Sequence, residues 1–360
     1  MADLYTRSRK DYVDKVDQSK RICYLSYIRA IACIAIIVLH MFASASILFG
    51  EQIGVRVNAY SRAISNIMMW AVPCFVMTTG ALLLDADRKI TYKKLFGKYI
   101  LRIFSALLLC CIGFRIFDMV MDGETPEIGI LLDALYEMFT GTGWSHLWYL
   151  YLLLGLYLLM PVYKKIAEYS TKVDMRYLLV VYVLFISVLP LLYIWNLNSG
   201  FYIHVSTIYP FYLFCGYALT RNVFRVHKWI AALAAVLSTC VILVLTVIRW
   251  TENVEVMEQL WSYSSILVIV QAVSIFSLFS GIKGQGESLA GKLLLKIDRC
   301  SFGIYLIHMV FVRLILRYMN FNPYTGSVCL NFFLLILGVF LVSYMCTWIL
   351  KKIPVLKQIL

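Results

Sequence analysis

Charged residues are scarce in this 360-residue sequence, because they make up only 15% of it whereas hydrophobic residues make up 62%. A single soluble core cannot bury so much apolar surface, so a soluble globular protein is excluded. The sequence also lacks a repeat of fixed period, a low-complexity tract and a soluble appendage. Its first 22 residues are polar, so the first apolar stretch is predicted to be an uncleaved start-transfer helix and not a signal peptide.

Paired cysteine spacings are absent as well. All ten cysteines lie within or at the ends of apolar stretches, and no predicted outer loop carries a pair. This placement is typical of small buried hydrophobic residues and not of disulfides or metal ligands. We therefore expect free buried cysteines and no metal cofactor.

Long apolar stretches are what the sequence has in abundance. Each is about 20 residues long, the length of a helix that crosses the hydrocarbon core of a bilayer. We predict an all-α polytopic integral membrane protein with about ten transmembrane helices. A cytosolic tail (1–23) precedes the transmembrane domain (24–350), and a second cytosolic tail (351–360) follows it. The predicted helices lie near 24–45, 62–84, 95–118, 146–163, 177–196, 204–220, 228–249, 261–281, 300–318 and 327–350.

The positive charge, +13 in total, is concentrated in alternate loops. Six segments carry 25 of the 33 lysines and arginines, and the loops between them carry few. This asymmetry follows the positive-inside rule, so it predicts cytosolic N- and C-termini and an even number of spans in a cell membrane. It explains the charge without a nucleic-acid partner. The basic segments are the N-terminal tail, 85–98, 164–176, 221–228, 283–299 and 351–357.

The segment 118–145 has the opposite character, with six acidic residues and no lysine or arginine. The predicted topology places it outside the cytosol, either as a solvated loop or partly as a re-entrant piece at 128–140. Arg115 precedes Asp118 by three residues, so we expect these two side chains to neutralise one another.

The first apolar stretch, YLSYIRAIACIAIIVLHMF (24–42), contains two basic side chains, Arg29 and His40. They are eleven residues apart, which at about 100° per residue is close to three full turns, so both project from one helix face about 16 Å apart. Taken alone, Arg29 is explained as a residue that reaches back to cytosolic headgroups, and His40 as a neutral core histidine. Arg102 enters the third predicted helix at a similar depth to Arg29, and two guanidinium groups at one level suit a phosphorylated ligand.

A cationic inner vestibule with a titratable histidine above it fits a molecule with a phosphate-rich end and a reactive far end. Coenzyme A thioesters have that shape. A histidine can deprotonate a hydroxyl that attacks the thioester carbonyl, and such base catalysis typically contributes about 10²–10⁴ in rate. We therefore assign Arg29 and Arg102 to donor binding and His40 to catalysis, with the acceptor arriving from the outer side, where the acidic segment can hydrogen-bond sugar hydroxyls.

The Arg-x10-His pattern of Arg29 and His40 resembles the signature of the membrane acyltransferase-3 family. Four further segments resemble motifs of that family and follow in the same order. The resemblance spans residues 24–350 and extends to the membrane domains of vancomycin-resistance serine racemases, whose racemase half is absent here. The four segments are VPCFVMTTGALLL (72–84), HLWYLYLLLGLYLLMP (146–161), FYLFCGYAL (211–219) and SFGIYLIHMVFV (301–312).

This resemblance implies a ten-helix enzyme that moves an acyl group, usually acetyl, from cytosolic acyl-CoA to a hydroxyl of a cell-envelope glycan or lipid-linked sugar. It implies that His40 is the catalytic histidine and that Arg29 is its partner. Because no fused esterase-like domain follows, it implies direct transfer to the acceptor. Two positions depart from the family pattern. Ser26 stands where an acidic residue often precedes the arginine, so an ion pair that would orient Arg29 is expected to be missing, and Thr79 replaces the serine before Gly80.

Two further histidines are candidates for the same cavity. Tyr305 and His308 are three apart on one helix face, so they either line the cavity of His40 or hold two helices together. His146 and Trp148 fall at a predicted outer interface, where such residues commonly act as anchors, and we favour that role slightly over a place in the cavity.

The remaining candidates are a small-residue step and two arginines. Thr79 and Gly80 more often mark close helix packing than a ligand contact. Arg313 and Arg317 lie in the outer half of the ninth predicted helix, where the topology rule predicts little positive charge, and their i, i+4 spacing presents one face. We expect them to pair with acidic residues of 118–137, or to bind an anionic acceptor such as a lipid-linked sugar diphosphate.

A membrane transporter or flippase for a sugar, an amino acid or a lipid-linked unit is the alternative function. Such proteins often contain inverted repeats with helices broken by Gly or Pro at matching places. The prolines Pro73, Pro190 and Pro210 do not fall at corresponding places of two halves. The sequence therefore favours an acyltransferase whose partners are the lipid bilayer, an acyl-CoA donor and a glycan or lipid-linked acceptor.

Overall fold

The protein is helical throughout the residues that the structure describes. This computed structural model covers residues 2–125, 129–195, 197, 207–248, 261–282 and 288–360, with side chains described from Cys23 onward except in 193–195. Helix accounts for 82% of the structure, and these ranges contain no strand. The all-α prediction is confirmed.

The α-helices longer than three residues are numbered here in chain order. They are α1 (Ala2–Phe49), α2 (Val55–Asn66), α3 (Ala71–Leu83), α4 (Leu101–Met121), α5 (Ile130–Thr140), α6 (Trp148–Leu158), α7 (Met160–Tyr169), α8 (Lys172–Val183), α9 (Tyr209–Thr220), α10 (Lys228–Ile248), α11 (Ile266–Ser280), α12 (Leu289–Arg313), α13 (Val328–Leu350) and α14 (Pro354–Ile359). Wider π-helical turns lead into α4 and follow α8 and α12. These turns are Leu95–Ile100, Leu184–Val188 and Leu314–Tyr318.

Seven helical segments of the described chain are long and apolar enough to cross a membrane. Helices α6 and α7 make an eighth when counted as one span, bent by 56° close to Pro161, which cannot donate a helical hydrogen bond. The protein is therefore a multi-pass membrane protein. Helices α9 and α11, with 12 and 15 residues, are shorter than the about 17 that a span needs. The count of ten and the cytosolic termini stay predictions.

Two compact units divide the chain. The first holds the described residues of 1–39, 59–82 and 171–301, and the second holds those of 40–58, 83–170 and 302–360. Helices α1 and α12 each contribute to both units, because α1 passes from the first to the second after Leu39 and α12 does so after Ser301.

In the first unit, α3 and α9 approach each other closely at two glycines. A Cβ atom at Gly80 would overlap the carbonyl group of Leu213, and one at Gly216 would overlap that of Met77. Small residues allow this kind of backbone contact between membrane helices. Gly80 therefore packs two helices together, as its sequence pattern predicts.

In the second unit, contacts on two sides hold the end of α1 that follows His40. Phe42 stacks on Phe332 of α13, with ring centroids 4.0 Å apart. One turn later, the hydroxyl of Ser46 donates to the side-chain oxygen of Asn58 in α2. The position of His40 is therefore set by packing on both helices.

Much of the helix surface is apolar and exposed. In water such a continuous apolar surface would cause aggregation, whereas a bilayer is the solvent that it suits. This surface agrees with the membrane prediction. On α13 alone the exposed apolar side chains include Leu330, Phe333, Leu334, Leu337, Leu341, Val342, Met345, Trp348 and Ile349.

All ten cysteines are free, as the sequence predicts. The expectation that they are buried is wrong for Cys240 and Cys329, which are exposed on α10 and α13. A thiol behaves as a small apolar group, so a helix face in contact with lipid tolerates it as well as a protein core does.

Candidate active site

Three histidines from three helical segments meet in the second unit. His40 lies in α1, His308 in α12, and His146 in the 3₁₀ turn Ser145–Leu147 that precedes α6. The ring centroids of His40 and His308 are 5.2 Å apart, those of His146 and His308 are 5.7 Å apart, and those of His40 and His146 are 6.4 Å apart. The fold thus assembles one cluster from histidines that are distant in sequence.

His146 and His308 are fully buried, with exposed fractions of 1% and 0%. The slight preference for His146 as an interfacial anchor is therefore wrong. The physical reason is a tertiary hydrogen bond, since the hydroxyl of Tyr305 in α12 donates to the carbonyl oxygen of His146 and holds its turn inside the protein. Tyr305 thereby joins two helical segments and also lies next to the cluster.

Backbone carbonyls fix which ring nitrogen carries the hydrogen in two of the histidines. Nε2 of His146 lies 3.2 Å from the carbonyl oxygen of Leu306, and Nδ1 of His308 lies 2.6 Å from that of Tyr305. Because a carbonyl oxygen can only accept, each of these nitrogens is the donor. In the neutral form of each ring, Nδ1 of His146 and Nε2 of His308 therefore carry lone pairs, and neither nitrogen has a partner among the described residues. An unpartnered buried acceptor costs about 1–3 kcal/mol, so the cluster favours a hydrogen-bond donor between its rings.

A cavity of about 410 Å³ opens beside the cluster, and His146 forms part of its wall. Ile47 and Leu48 of α1 contribute an apolar side. The opposite side is charged and polar. Its members are Asp118, Glu137, Trp144, Arg313 and Arg317.

Asp118 organises the polar wall of this cavity. It accepts hydrogen bonds from Nε1 of Trp144 at 2.8 Å, from Nη1 of Arg313 at 3.0 Å and from the hydroxyl of Tyr318 at 3.1 Å. The guanidinium of Arg313 also lies over the Trp144 ring, 4.5 Å from its centroid. The predicted pairing of Arg313 with an acidic residue of 118–137 is confirmed.

Arg115 pairs with different carboxylates from the one predicted. Its guanidinium lies 3.5 Å from the carboxylate of Asp133 and 3.5 Å from that of Glu137, both in α5. The predicted neutralisation of Arg115 by Asp118 is therefore wrong. Asp118 is occupied by its three donors, and α5, which packs on α4, brings two other carboxylates to Arg115.

Glu137 is a carboxylate of this cavity whose pKa is shifted. Burial raises the pKa of Glu137, and the Arg115 guanidinium offsets part of this effect. Glu137 therefore keeps its proton to a higher pH than an exposed glutamate does. In the protonated form it can donate a hydrogen bond to a ligand, and in the ionised form it can accept one.

Arg317 differs from Arg313 although both line the cavity. It lies in the π-helical turn after α12, and its guanidinium carbon is 5.3 Å from the centroid of the Tyr318 ring. In the part of the chain that the structure describes, no carboxylate forms an ion pair with Arg317. Its positive charge is therefore available to the cavity.

Arg29 lies in the first unit, where it has a carboxylate partner. Its Nε and Nη2 donate to the two carboxylate oxygens of Asp298 in α12, at 2.6 and 2.7 Å. The side chains of Arg29 and Asp298 are 28% and 9% exposed. Ser26 adds a long hydrogen bond of 3.4 Å. The expectation of a missing ion pair is wrong, because the carboxylate comes from a distant helix and not from the position before the arginine.

Sequence reasoning missed Asp298 because it began the corresponding helix at 300 and assigned 283–299 to a basic loop. In the structure α12 begins at Leu289, so its first turns carry Asp298 into the interior. A signal was present, since leucines and isoleucine recur at helical spacing among the lysines of SLAGKLLLKID (288–298).

Arg102 lies in the second unit and binds the last residues of the chain. Its Nε donates to the carbonyl oxygen of Ile359 at 2.9 Å, and its Nη2 donates to a main-chain oxygen of Leu360, the last residue, at 2.8 Å. The guanidinium also lies 4.9 Å from the centroid of the Phe302 ring. The hydrogen-bond partners of Arg102 are therefore main-chain oxygens at the end of the chain.

The other predicted site residues have contacts of their own. Thr79 and Gly80 belong to the first unit, where the Thr79 hydroxyl donates to the Phe75 carbonyl one turn earlier at 3.0 Å. Trp148 lines a second cavity of about 260 Å³, which shares Gly143, Trp144 and Ser145 with the first, and it meets the Tyr149 ring edge-on. Within the described ranges, no group of three or more His, Cys, Asp or Glu side chains has the geometry of a metal site.

One of three comparisons with known proteins gives a match. A family model described as an acyltransferase domain, of the acyltransferase-3 type, matches residues 22–351. No curated protein and no solved structure matches the chain. The matched region includes all three histidines of the cluster and almost the whole chain.

Proposed function

The chain belongs to the membrane acyltransferase-3 family, and from this premise we propose that it moves an acyl group from cytosolic acyl-CoA to a hydroxyl of a cell-envelope acceptor. A multi-pass membrane acyltransferase is what the family and the apolar helices establish. The finer proposal is an acetyl donor, a glycan or lipid-linked sugar as acceptor, and the cytoplasmic membrane as location.

The histidine cluster beside a polar cavity is the observation that carries this proposal. As a residue His40 is partly exposed, whereas His146 and His308 are buried, so we assign the role of base to His40. Acting as general base, it takes the proton of the acceptor hydroxyl while the oxygen attacks the thioester carbonyl. The carbon–sulfur bond then breaks, and coenzyme A leaves as a thiolate that is protonated to the thiol.

The donor phosphates are assigned to Arg102 and Arg29. Each guanidinium uses Nε and Nη2 for its protein contacts, and Nη1 of each has no hydrogen bond within the described residues. Asp298 offsets the charge of Arg29, whereas the partners of Arg102 are main-chain oxygens of Ile359 and Leu360. The free Nη1 of each guanidinium is the group that we assign to a donor phosphate.

The cavity beside His146 is the proposed acceptor site. Asp118 and Glu137 offer oxygen atoms to sugar hydroxyls, and Arg317 offers a positive charge that no described carboxylate neutralises. Arg313 is already held by Asp118, so it shapes the wall and does not add net charge. This pattern fits a hydroxylated acceptor that carries an anionic group, such as a lipid-linked sugar phosphate.

The direct test uses labelled acetyl-CoA and inverted membrane vesicles that contain the protein. The proposal predicts a labelled envelope product with the wild type and none with His40→Ala. His227→Ala is the matched control, because His227 is an exposed histidine outside the cluster. Loss of product in both variants, or in neither, would contradict the assignment of His40.

A second test separates the acyltransferase from a transporter or flippase. Arg102→Ala and Arg29→Ala should each raise the KM for acetyl-CoA, because each removes a guanidinium that we assign to the donor phosphates. A transporter of sugars or lipid-linked units has no reason to bind coenzyme A. An unchanged KM in both variants would refute the phosphate assignment.

A further inference from the structure

The histidine cluster contains more basic nitrogens than the proposed reaction uses. His40 alone suffices to take the acceptor proton. Nδ1 of His146 and Nε2 of His308 are additional lone pairs, both on fully buried rings and both without a partner in the described protein. Burial of two unpartnered acceptors is unfavourable, so their presence beside His40 needs a physical explanation.

The spacing of the rings suits hydrogen bonds between imidazoles. A direct N–H···N bond of about 2.8–2.9 Å, with about 1.2 Å from each nitrogen to its ring centre, gives a centroid separation of about 5 Å. The separation of His40 and His308 is 5.2 Å, so a small ring rotation completes such a bond. The ring centroid of His146 lies 6.4 Å from that of His40 and 5.7 Å from that of His308. A further small shift, or one bridging molecule, would connect His146 to these rings by hydrogen bonds.

The carboxylates of the neighbouring cavity are bound to other groups, so they do not accept hydrogen bonds from the clustered histidines. Asp118 is engaged by Trp144, Arg313 and Tyr318, and Glu137 is paired with Arg115. In the described chain, no carboxylate forms an ion pair with a histidine of the cluster. A positive charge that forms on His40 must therefore be stabilised by neutral acceptors.

We propose that His308 and His146 are positioning residues that hold the proton which His40 removes from the acceptor. His40 takes the acceptor proton on one ring nitrogen, and the N–H group of its other nitrogen donates to the lone pair of Nε2 of His308 or of Nδ1 of His146, so that the cluster shares one positive charge. This inference rests on the proposed function and assigns to it two further residues.

The proton and the bonds balance within the cluster. The acceptor oxygen loses its hydrogen to His40 and forms the new carbon–oxygen bond, while the thioester carbon–sulfur bond breaks. The excess proton stays on the three imidazoles until the leaving thiolate takes it. The cluster ends neutral, with an ester and a coenzyme A thiol as products and no further reactant.

The sharpest test compares two replacements of His308. His308→Leu removes both ring nitrogens, whereas His308→Gln keeps an oxygen that can accept a hydrogen bond from His40. If His308 served only the fold, leucine would be the milder change, because it removes an unpartnered polar atom from a buried place. We expect the reverse order in kcat, with a loss of about 10²-fold for leucine and less than about tenfold for glutamine. The KM of His308→Leu for acetyl-CoA should stay at the wild-type value, and its melting temperature should stay at or above that of the wild type.

Several outcomes would overturn the inference. One is a His308→Leu variant that keeps kcat within threefold of the wild type, and another is a leucine variant that is more active than the glutamine variant. A His308→Leu protein that melts earlier and loses kcat and donor binding together would also contradict it. Imidazole added to His308→Ala gives a check that does not depend on stability, because it should restore part of kcat there and leave His227→Ala unchanged. Failure of the wild type to form product from acetyl-CoA would instead contradict the proposed function.

Discussion

The surroundings of the arginines differ from those of the clustered histidines. In the first unit Arg29 is paired with Asp298, and in the second unit Arg313 is paired with Asp118. The three histidines of the second unit have no carboxylate against them in the described chain, although carboxylates line the neighbouring cavity.

The difference follows from the chemistry of the two side chains. A guanidinium cannot lose its charge in a protein, so burial requires a counter-charge. An imidazole can be buried neutral, whereas a carboxylate beside it would favour its charged form. The arginine pairs therefore stabilise the fold, whereas the clustered histidines remain able to take and release a proton.

The largest expected effect is on catalysis, and it tests whether the clustered histidines transfer a proton. His40→Gln should lower kcat by about 10²–10⁴, because it removes the base but keeps a polar side chain of similar size. The melting temperature in detergent should change little, in contrast to a change in an arginine pair. A variant with normal kcat, or one that loses activity only because it unfolds, would contradict the distinction between arginines that serve the fold and histidines that transfer protons.

The largest expected effect on stability is at the arginine pair of the first unit. Asp298→Leu leaves Arg29 without its counter-charge and should lower the free energy of unfolding by about 3 kcal/mol, the lower end for a buried pair that loses one partner. Arg29→Met combined with Asp298→Leu should recover most of that loss, because two apolar side chains replace two charges. Thermal unfolding of the single and double variants measures both values, and a double variant as unstable as the single one would contradict this account.

A smaller effect is expected at the pair in the second unit. Asp118→Asn removes the negative charge that holds Arg313 but retains one oxygen for Trp144 or Tyr318. We expect a loss of about 1–2 kcal/mol in stability, because hydrogen bonds to a charged group are weakened and not abolished. The same variant should raise the acceptor KM and leave the donor KM unchanged. Equal changes in both KM values would show that the cavity does not discriminate between the two substrates.

The smallest effect is expected at Glu137 and depends on pH. Because burial raises its pKa, the folded protein binds this proton more tightly than the unfolded chain does. The stability that this proton contributes is present below the pKa of an ordinary glutamate. It is lost as the pH rises through the pKa of Glu137 in the folded protein. Glu137→Gln should therefore gain stability relative to the wild type as the pH rises from about 4 to 8. Melting temperatures across this range measure the difference, and a constant difference would contradict the shift.

The features that the sequence predicted are those that depend on local pattern. Apolar stretches of span length predicted the helices, because hydrophobicity over about 20 residues is itself the signal for a span. The spacing of Arg29 and His40 placed both on one helix, and a motif pointed to Tyr305 and His308. Local patterns could not show that α9 and α11 are short, because the ends of buried helices depend on packing.

The features that the sequence missed depend on contacts between distant residues. The carboxylate for Arg29 comes from Asp298, in a turn of α12 that looked like part of a basic loop. The burial of His146 depends on the hydroxyl of Tyr305, which no spacing rule connects to it. The neutral, carboxylate-free character of the cluster is likewise a property of three segments together, so only the structure reveals it.

The most direct test of the central claim is a single-turnover measurement of coenzyme A thiol release by purified protein with acetyl-CoA and acceptor extract. We expect acceptor-dependent thiol release by the wild type, and a His40→Ala variant that binds coenzyme A with wild-type affinity but releases no thiol. Release at the wild-type rate by His40→Ala would contradict the claim that the histidine cluster performs the transfer.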